Sequence, residues 1–354
     1  MSIFSRAVRG TRQPAASMQP VVDPAEWTRE SLGPVENFSY HFSDNDRQAL
    51  IDAVAATRAR GVPAAQVSSD NFRIHGALAT IMDDVRDELR HGRGLAMLRG
   101  FPVDQLDREG SAMGYLGLGS YLGRPMAQNM KGHILGHVKD LGGDYADPKT
   151  RGYYTRAEMR IHADPCDYVG LLCLQTAKSG GASCVASSIT VYNRILRERP
   201  DLAEALVSDF YRSKKGDVNP DEEPFFKQPI FSFWDGYFSA VGAGSAIDKA
   251  QGLPGVPPFT PAQREAIEFY RQVAEESLVD IPFLPGDVQF LNNYVALHTR
   301  REYEDWPESS RKRHLLRLWL EDPGNRPIPP DQRNGHRRGL LPQGVVLNAP
   351  LDVC

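Results

Sequence analysis

Residues 313–320, Arg-His-Leu-Leu-Arg-Leu-Trp-Leu, set the tightest limit on what this chain can fold into. Read as a strand, whose side chains alternate between two faces, they put Arg313, Leu315, Arg317 and Trp319 on one side. His314, Leu316, Leu318 and Leu320 fall on the other. Two guanidiniums on the inner face of so apolar a strand need anionic partners, because an unpaired buried charge is costly. Structural carboxylates are one source of that anion, and Arg313 also extends a basic run, Arg311-Lys312-Arg313. A bound acid is the reading taken forward.

Upstream, the periodicity predicts a helix over about 46–60 (Leu50, Ile51, Val54, stopped by Gly61). A second covers about 72–91 (Leu78, Met82, Val85, Leu89, stopped by Gly92). Gly94–Gly100 brackets a short buried strand, and a glycine-containing helix is expected over roughly 105–122. Beyond about 125 the texture becomes short apolar runs separated by Gly, Pro and Asp. Ile230–Trp234 and Tyr237–Ala240, joined by Asp235-Gly236, predict a hairpin with a primed turn. Thr260, Pro261 and Gln263 open a long helix with a capping box. Pro285-Gly286-Asp287 then turns the chain into the strand expected to lead to His298. The whole predicts a mixed α/β fold with a mainly β core: a flexible tail over 1–25, then one domain over 26–354 with a helical insertion around 188–280.

A net charge of −4 argues against nucleic acid as the partner, since phosphate binding needs a basic excess. A small molecule handled by local charges fits better. Cys166, Cys173, Cys184 and Cys354 show no paired spacing, which favours a reducing, cytoplasmic setting. No apolar run approaches the ~20 residues that span a bilayer, so no membrane partner is expected. The first twenty residues carry Arg6, Arg9 and Arg12 and no acid, a composition common to organellar targeting segments and floppy tails. The sequence permits a homo-oligomer without fixing the oligomeric state.

His162-Ala163-Asp164 is weak alone: nine histidines and 45 acids in 354 residues make about one His-x-acid pair expected by chance (9 × 45/354). Placed on a strand, however, the two side chains share a face, and Pro165 biases Asp164 towards extended geometry. With His298 they supply two imidazoles and one carboxylate, the set that holds non-haem Fe(II) on one face and leaves the other open. Arg313 would then grip the far carboxylate of a keto-acid cosubstrate. His133 and His137 are four apart, but Gly132 and Gly136 discourage a helix and no Glu follows the first, so a zinc-protease site is not expected. Gly180-Gly181-Ala-Ser183 is too sparse for a phosphate loop.

GLAMLRGF, IHADPCD, AKSGGAS, FLPGDVQFLNNYVALH and RHLLRLWL, in this order over roughly 90–320, resemble the taurine dioxygenase-like family of Fe(II)- and 2-oxoglutarate-dependent oxygenases. The resemblance implies a double-stranded β-helix (jelly roll) with flanking helices, and O2 as the third reactant. It implies His162, Asp164 and His298 as catalytic iron ligands, Arg313 and Ser183 on 2-oxoglutarate, and Asn293 just behind the ligands. Arg317 matches an arginine that binds the substrate's acid group in some members and 2-oxoglutarate in others. Gln128, Asn129 and the Tyr153-Tyr154 pair stand where members place substrate loops. The fifteen-residue step from His298 to Arg313 is nearer to the clavaminate synthase kind of amino-acid oxygenase than to taurine dioxygenase itself. The implied reaction is oxidation of an unactivated C–H bond (hydroxylation, desaturation or cyclisation) in a small carboxylate, an amino acid or its derivative, as in secondary metabolism. Two other readings fit the same residues. One is a Jumonji-type protein hydroxylase or demethylase, which would turn over peptides. The other is a non-catalytic jelly-roll binding protein, which would consume no oxygen.

Overall fold

The computed structural model describes residues 11–143, 154–214, 218, 222–334 and 344–352. Its centre is two sheets face to face. The larger has seven strands: Ser39–His41, Leu95–Arg99, Val288–Asn292, Tyr168–Gln175, His314–Glu321 and Arg124–Pro125 in order, with Leu135–Val138 also on His314–Glu321. The smaller has three: Val279–Ile281, Ser183–Ser187 and Ala296–Arg300.

Strand alternation sorts the apolar side chains into three layers. Leu315 and Trp319 join Met97, Val169, Cys173, Val185, Leu291 and Ala296 between the sheets. Leu316, Leu318 and Leu320 face the helices instead. The outer side of the small sheet, through Cys184, Ala186 and Leu297, packs on the insertion.

Three helices cover the large sheet. Asp44–Ala59 is capped by Ser43 in a capping box with Asp46. Gly76–His91 buries Leu78, Met82, Val85 and Leu89, and starts four residues later than the periodicity suggested. In Arg108–Ser120 the glycines that weaken the sequence signal allow the packing. A Cβ on Gly117 would fall 2.4 Å from the Phe72 ring, and one on Gly119 would fall 2.3 Å from Leu318. Among the described residues between Ser187 and Val279 lie four helices and two antiparallel strand pairs. The Asp235-Gly236 turn has positive φ at both residues, as a primed turn requires, and Thr260 closes its capping box with Gln263.

Two expectations are corrected. Residues 11–25 are packed rather than loose: Val21 and Ala25 are buried in the insertion's core, and Arg12 pairs with Asp23 at 2.7 Å. Residues 1–10, Tyr153 and Cys354 lie outside the described residues. Second, Pro285-Gly286-Asp287 does not open one strand that carries His298. The chain runs through Val288–Asn292 in the large sheet, crosses at Asn293–Val295, and places His298 on Ala296–Arg300 in the small sheet. The apolar run looked continuous because both strands are wholly buried.

His137 and His314 form a buried pair on adjacent strands, Nδ1 to Nε2 at 2.8 Å, while His137 Nε2 donates to the Pro350 carbonyl at 2.8 Å. His137 Nδ1 must therefore accept, and His314 Nε2 donate. Burial, then repulsion from His137, Arg108 and Lys139, pushes the His314 imidazole down to about 3 from its ordinary 6.5. Burial lowers His137 too, opposed by the Pro350 carbonyl. The unfolded chain takes up these protons near pH 6.5 and the folded chain resists them, so stability is full above 6.5 and drains as pH falls towards 3. Thermal midpoints recorded from pH 7 to 4 should fall, and the slope should flatten in His314→Asn. An equal slope in that variant would place the acid sensitivity elsewhere.

Candidate active site

His162 and Asp164 lie on no regular strand. Pro165 lacks an N–H, and the ladder reduces to a single antiparallel bridge between His162 and His298. That bridge has both hydrogen bonds: His162 N–H to His298 O at 3.0 Å, and His298 N–H to His162 O at 2.8 Å. Directly opposed residues project their side chains together, and the two imidazole centres are 4.4 Å apart. Asp164, two residues on, faces both: His162 Nε2 is 3.9 Å from its Oδ1, and His298 Nε2 is 3.9 Å from its Oδ2. One ligand atom from each of the three side chains lies within 4.8 Å of the other two.

Protonation states suit a metal. His162 Nδ1 donates to the Arg160 carbonyl at 2.8 Å, which leaves Nε2 free of hydrogen and turned to Asp164. Burial, then the neighbouring His162, pushes His298 down to about 3, and Asp164 only partly opposes this. Burial also works against ionising Asp164. Arg317, then the two histidines and the Trp319 hydrogen bond, outweigh it and hold the carboxyl at about 2. At 3.9 Å these groups make no mutual hydrogen bond. An ionised carboxylate facing two imidazole nitrogens is a donor set for one divalent ion, and it matches ferrous iron.

A supporting layer fixes the carboxylate. Trp319 Nε1 donates to Asp164 Oδ2 at 2.8 Å, and Arg317 Nη1 lies 3.4 Å from both oxygens. Asn293 accepts the Asp164 N–H at 3.0 Å and donates to Cys166 Sγ at 3.1 Å, tying the crossing segment to the ligand segment. Trp319 was missed as a site residue. The signal was present in its inward position, since a buried indole N–H needs an acceptor.

Other predicted residues are placed as follows. Arg313 is buried; Nη2 donates to the Gly181 carbonyl at 3.2 Å, while Nη1 has no hydrogen-bond partner among the described residues. Ser183 is buried and donates to Gln289 Oε1 at 2.8 Å, an interaction the sequence did not suggest. Arg317 sits against Asp164, and its Nε donates to Gln128 Oε1 at 2.9 Å. Gln128, expected at a substrate loop, is buried and brackets Arg317. Its amide donates to the carbonyls of Ile134 and Arg317 at 3.0 and 2.9 Å, which orients the arginine. Asn129 braces its own turn, accepting the Lys131 N–H at 2.9 Å.

Two histidines and a carboxylate converging between two sheets are the donor set of a non-haem iron enzyme. The model for the family described as taurine catabolism dioxygenase TauD, TfdA family, matches residues 58–319, and the chain belongs to that family. It is an Fe(II)- and 2-oxoglutarate-dependent oxygenase. The FR-33289 synthase of Streptomyces rubellomurinus is 30% identical over 335 residues, covering 91% of this chain and 96% of that protein. The taurine hydroxylase-like protein SAT17 of Stachybotrys chartarum is 28% identical, covering 84% and 78%. The fold matches asparagine oxygenase in complex with Fe(II), 3-hydroxyasparagine and succinate (TM-score 0.63, 16% identity, 80% of this chain and 93% of that one). It also matches the oxygenase OrfP in complex with Fe and alpha-ketoglutaric acid (TM-score 0.59, 16% identity, the same coverage).

Removing the indole donor while keeping the ring volume tests the supporting layer. Trp319→Phe should weaken Fe(II) binding by about 10- to 100-fold, the usual effect of losing a hydrogen bond behind a metal ligand. Calorimetric titration under argon reads this directly, and wild-type affinity would show that Trp319 only fills space.

Proposed function

We propose that this protein oxidises an unactivated C–H bond in a small carboxylate, an amino acid or amino-acid-derived metabolite. His162, Asp164 and His298 hold the iron, and Arg313 holds the far carboxylate of 2-oxoglutarate. The open Nη1 of the buried Arg313 carries this reading: Asp305 acts on the guanidinium by charge but leaves that donor without an acceptor, and a keto-diacid supplies one. The facing sheets support a double-stranded β-helix, with residues 26–354 as one domain and its insertion around 188–280.

When bound, iron would supply activation of O2, the four-electron oxidant, with two electrons drawn from the cleavage of 2-oxoglutarate to succinate and carbon dioxide and two from the substrate C–H bond. The chain does the rest. Arg317 and Trp319 keep Asp164 ionised and aimed, Arg160 fixes the His162 tautomer, and the apolar layer between the sheets excludes water. The carboxylate at Asp164 occupies the position a halide would need, which supports hydroxylation, desaturation or cyclisation over halogenation. Arg317 is the inner-face charge a substrate acid group would meet. The hydroxyasparagine in asparagine oxygenase and the (3S)-hydroxy-L-Arg in OrfP support an amino-acid substrate. The net charge of −4 supports a small molecule over nucleic acid. No helix among the described residues is long and apolar enough to cross a membrane, and three buried free cysteines support a reducing, cytoplasmic setting.

Succinate release screened across amino acids, their conjugates and short peptides tests the proposal. Turnover with an amino-acid-type compound is expected; turnover with peptides alone would favour a protein hydroxylase, and none would favour a binding protein. Asp164→Ala should abolish the release. Arg313→Ala should raise the 2-oxoglutarate requirement by one to two powers of ten, since a charged hydrogen bond is worth about 1.5–3 kcal/mol. An unaltered requirement would move that anchor to another residue.

A further inference from the structure

Tyr303 lies five residues past His298, in the two-stranded ladder with Ser179-Gly180. It is only 5% exposed, and its O–H meets no acceptor among the described residues. A buried phenol normally finds one, so an orphan marks a place where something else belongs. The Arg313 guanidinium, whose Nη1 likewise lacks an acceptor among the described residues, is 5.2 Å from the Tyr303 ring centre. The Tyr303 oxygen acts on the Arg313 guanidinium both by charge and as a hydrogen-bond acceptor, so the phenol is already turned towards the arginine. Gly181 lies between the two: a Cβ there would sit 3.1 Å from Arg313 Nε and 3.2 Å from Tyr303 Cβ. The Gly181 φ of +72° suits glycine in any case. A side chain at 181 would push apart the two residues whose donors are open.

A second guanidinium joins them. Arg300 follows His298 by two on the same strand, so it shares the inner face, and its charge is 4.8 Å from the Tyr303 ring centre. Asp305 and Asp140 also act on Tyr303, but two arginines stack on it. Burial raises the phenol above its ordinary value, so it stays protonated and can donate. The hydroxyl of Ser183 already serves Gln289.

We propose that Tyr303 is a cosubstrate-binding residue: its hydroxyl and Arg313 Nη1 each donate to one oxygen of the far carboxylate of 2-oxoglutarate. This rests on Arg313 being the anchor of that carboxylate. A carboxylate offers two oxygens, and the Tyr303 O–H and Arg313 Nη1 are donors in this corner that meet no acceptor among the described residues. The assignment also gives a basis for choosing a keto-diacid over a keto-monoacid.

The test needs no knowledge of the substrate. Fe(II)-loaded enzyme is titrated without oxygen, first with 2-oxoglutarate and then with 2-oxobutyrate, which chelates iron alike but lacks the far carboxylate. Binding is followed by the visible charge-transfer absorption of the keto acid–iron complex. Tyr303→Phe should weaken 2-oxoglutarate by about ten-fold or more, the range for a hydrogen bond to a charged group, and leave 2-oxobutyrate within two-fold. Equal weakening of both acids would mean a structural role, and no weakening of either would mean the hydroxyl faces elsewhere; both overturn the proposal. Arg313→Gln separates the two levels. If it weakens 2-oxoglutarate and Tyr303→Phe does not, only the tyrosine assignment fails. If neither variant changes binding, the anchor reading fails with it.

Discussion

The site depends on one backbone exchange, the reciprocal hydrogen bonds between His162 and His298 at 3.0 and 2.8 Å. They join a segment with no regular strand of its own to the small sheet. A directly opposed pair sends both side chains the same way, so the imidazoles face one space without further help. Asp164 follows by the two-residue period, and Asn293 accepts its N–H. The ligand set is thus fixed by main-chain pairing, with side chains trimming its aim.

Around this exchange the polar groups divide by duty. Arg317, Gln128 and Trp319 form a chain that ends on Asp164, so one inward charge of the arginine strand lies 3.4 Å from that carboxylate. Arg313, four residues earlier on the same face, keeps an open donor. One face of one strand therefore carries both inward guanidiniums, one against Asp164 and one with an open donor. Its other face, Leu316, Leu318 and Leu320, packs on the helices, so displacement of this strand would disturb core and site together.

Much of this was legible in the sequence because period and chemistry coincided. Alternation in residues 313–320 assigned every side chain to its layer, and Asp235-Gly236 and Thr260–Gln263 marked a turn and a cap by local chemistry alone. His162, Asp164 and His298 were found through their spacing and the arginines behind them. What was hidden is long-range. Nothing local shows that Asn292 ends one strand and Ala296 begins another, because buried strands of both sheets are uniformly apolar. Gln128 looked like a loop residue because its partners, Ile134 and Arg317, meet it only when two strands pair. The N-terminal segment read as loose because its anchors, Asp23 and the insertion, are separate in composition and join only in the fold. Tyr303 and Gln289 gave no signal at all; the burial of the one and the hydrogen bond of the other with Ser183 appear only in the packing.

The most direct measurement is an anomalous difference map from crystals grown without oxygen in the presence of Fe(II) and 2-oxoglutarate. The account predicts a single strong iron peak within bonding distance of His162 Nε2, Asp164 and His298 Nε2, with density for the keto acid running from it to Arg313. An iron peak elsewhere, or those three side chains bare beside a fully loaded protein, would contradict it.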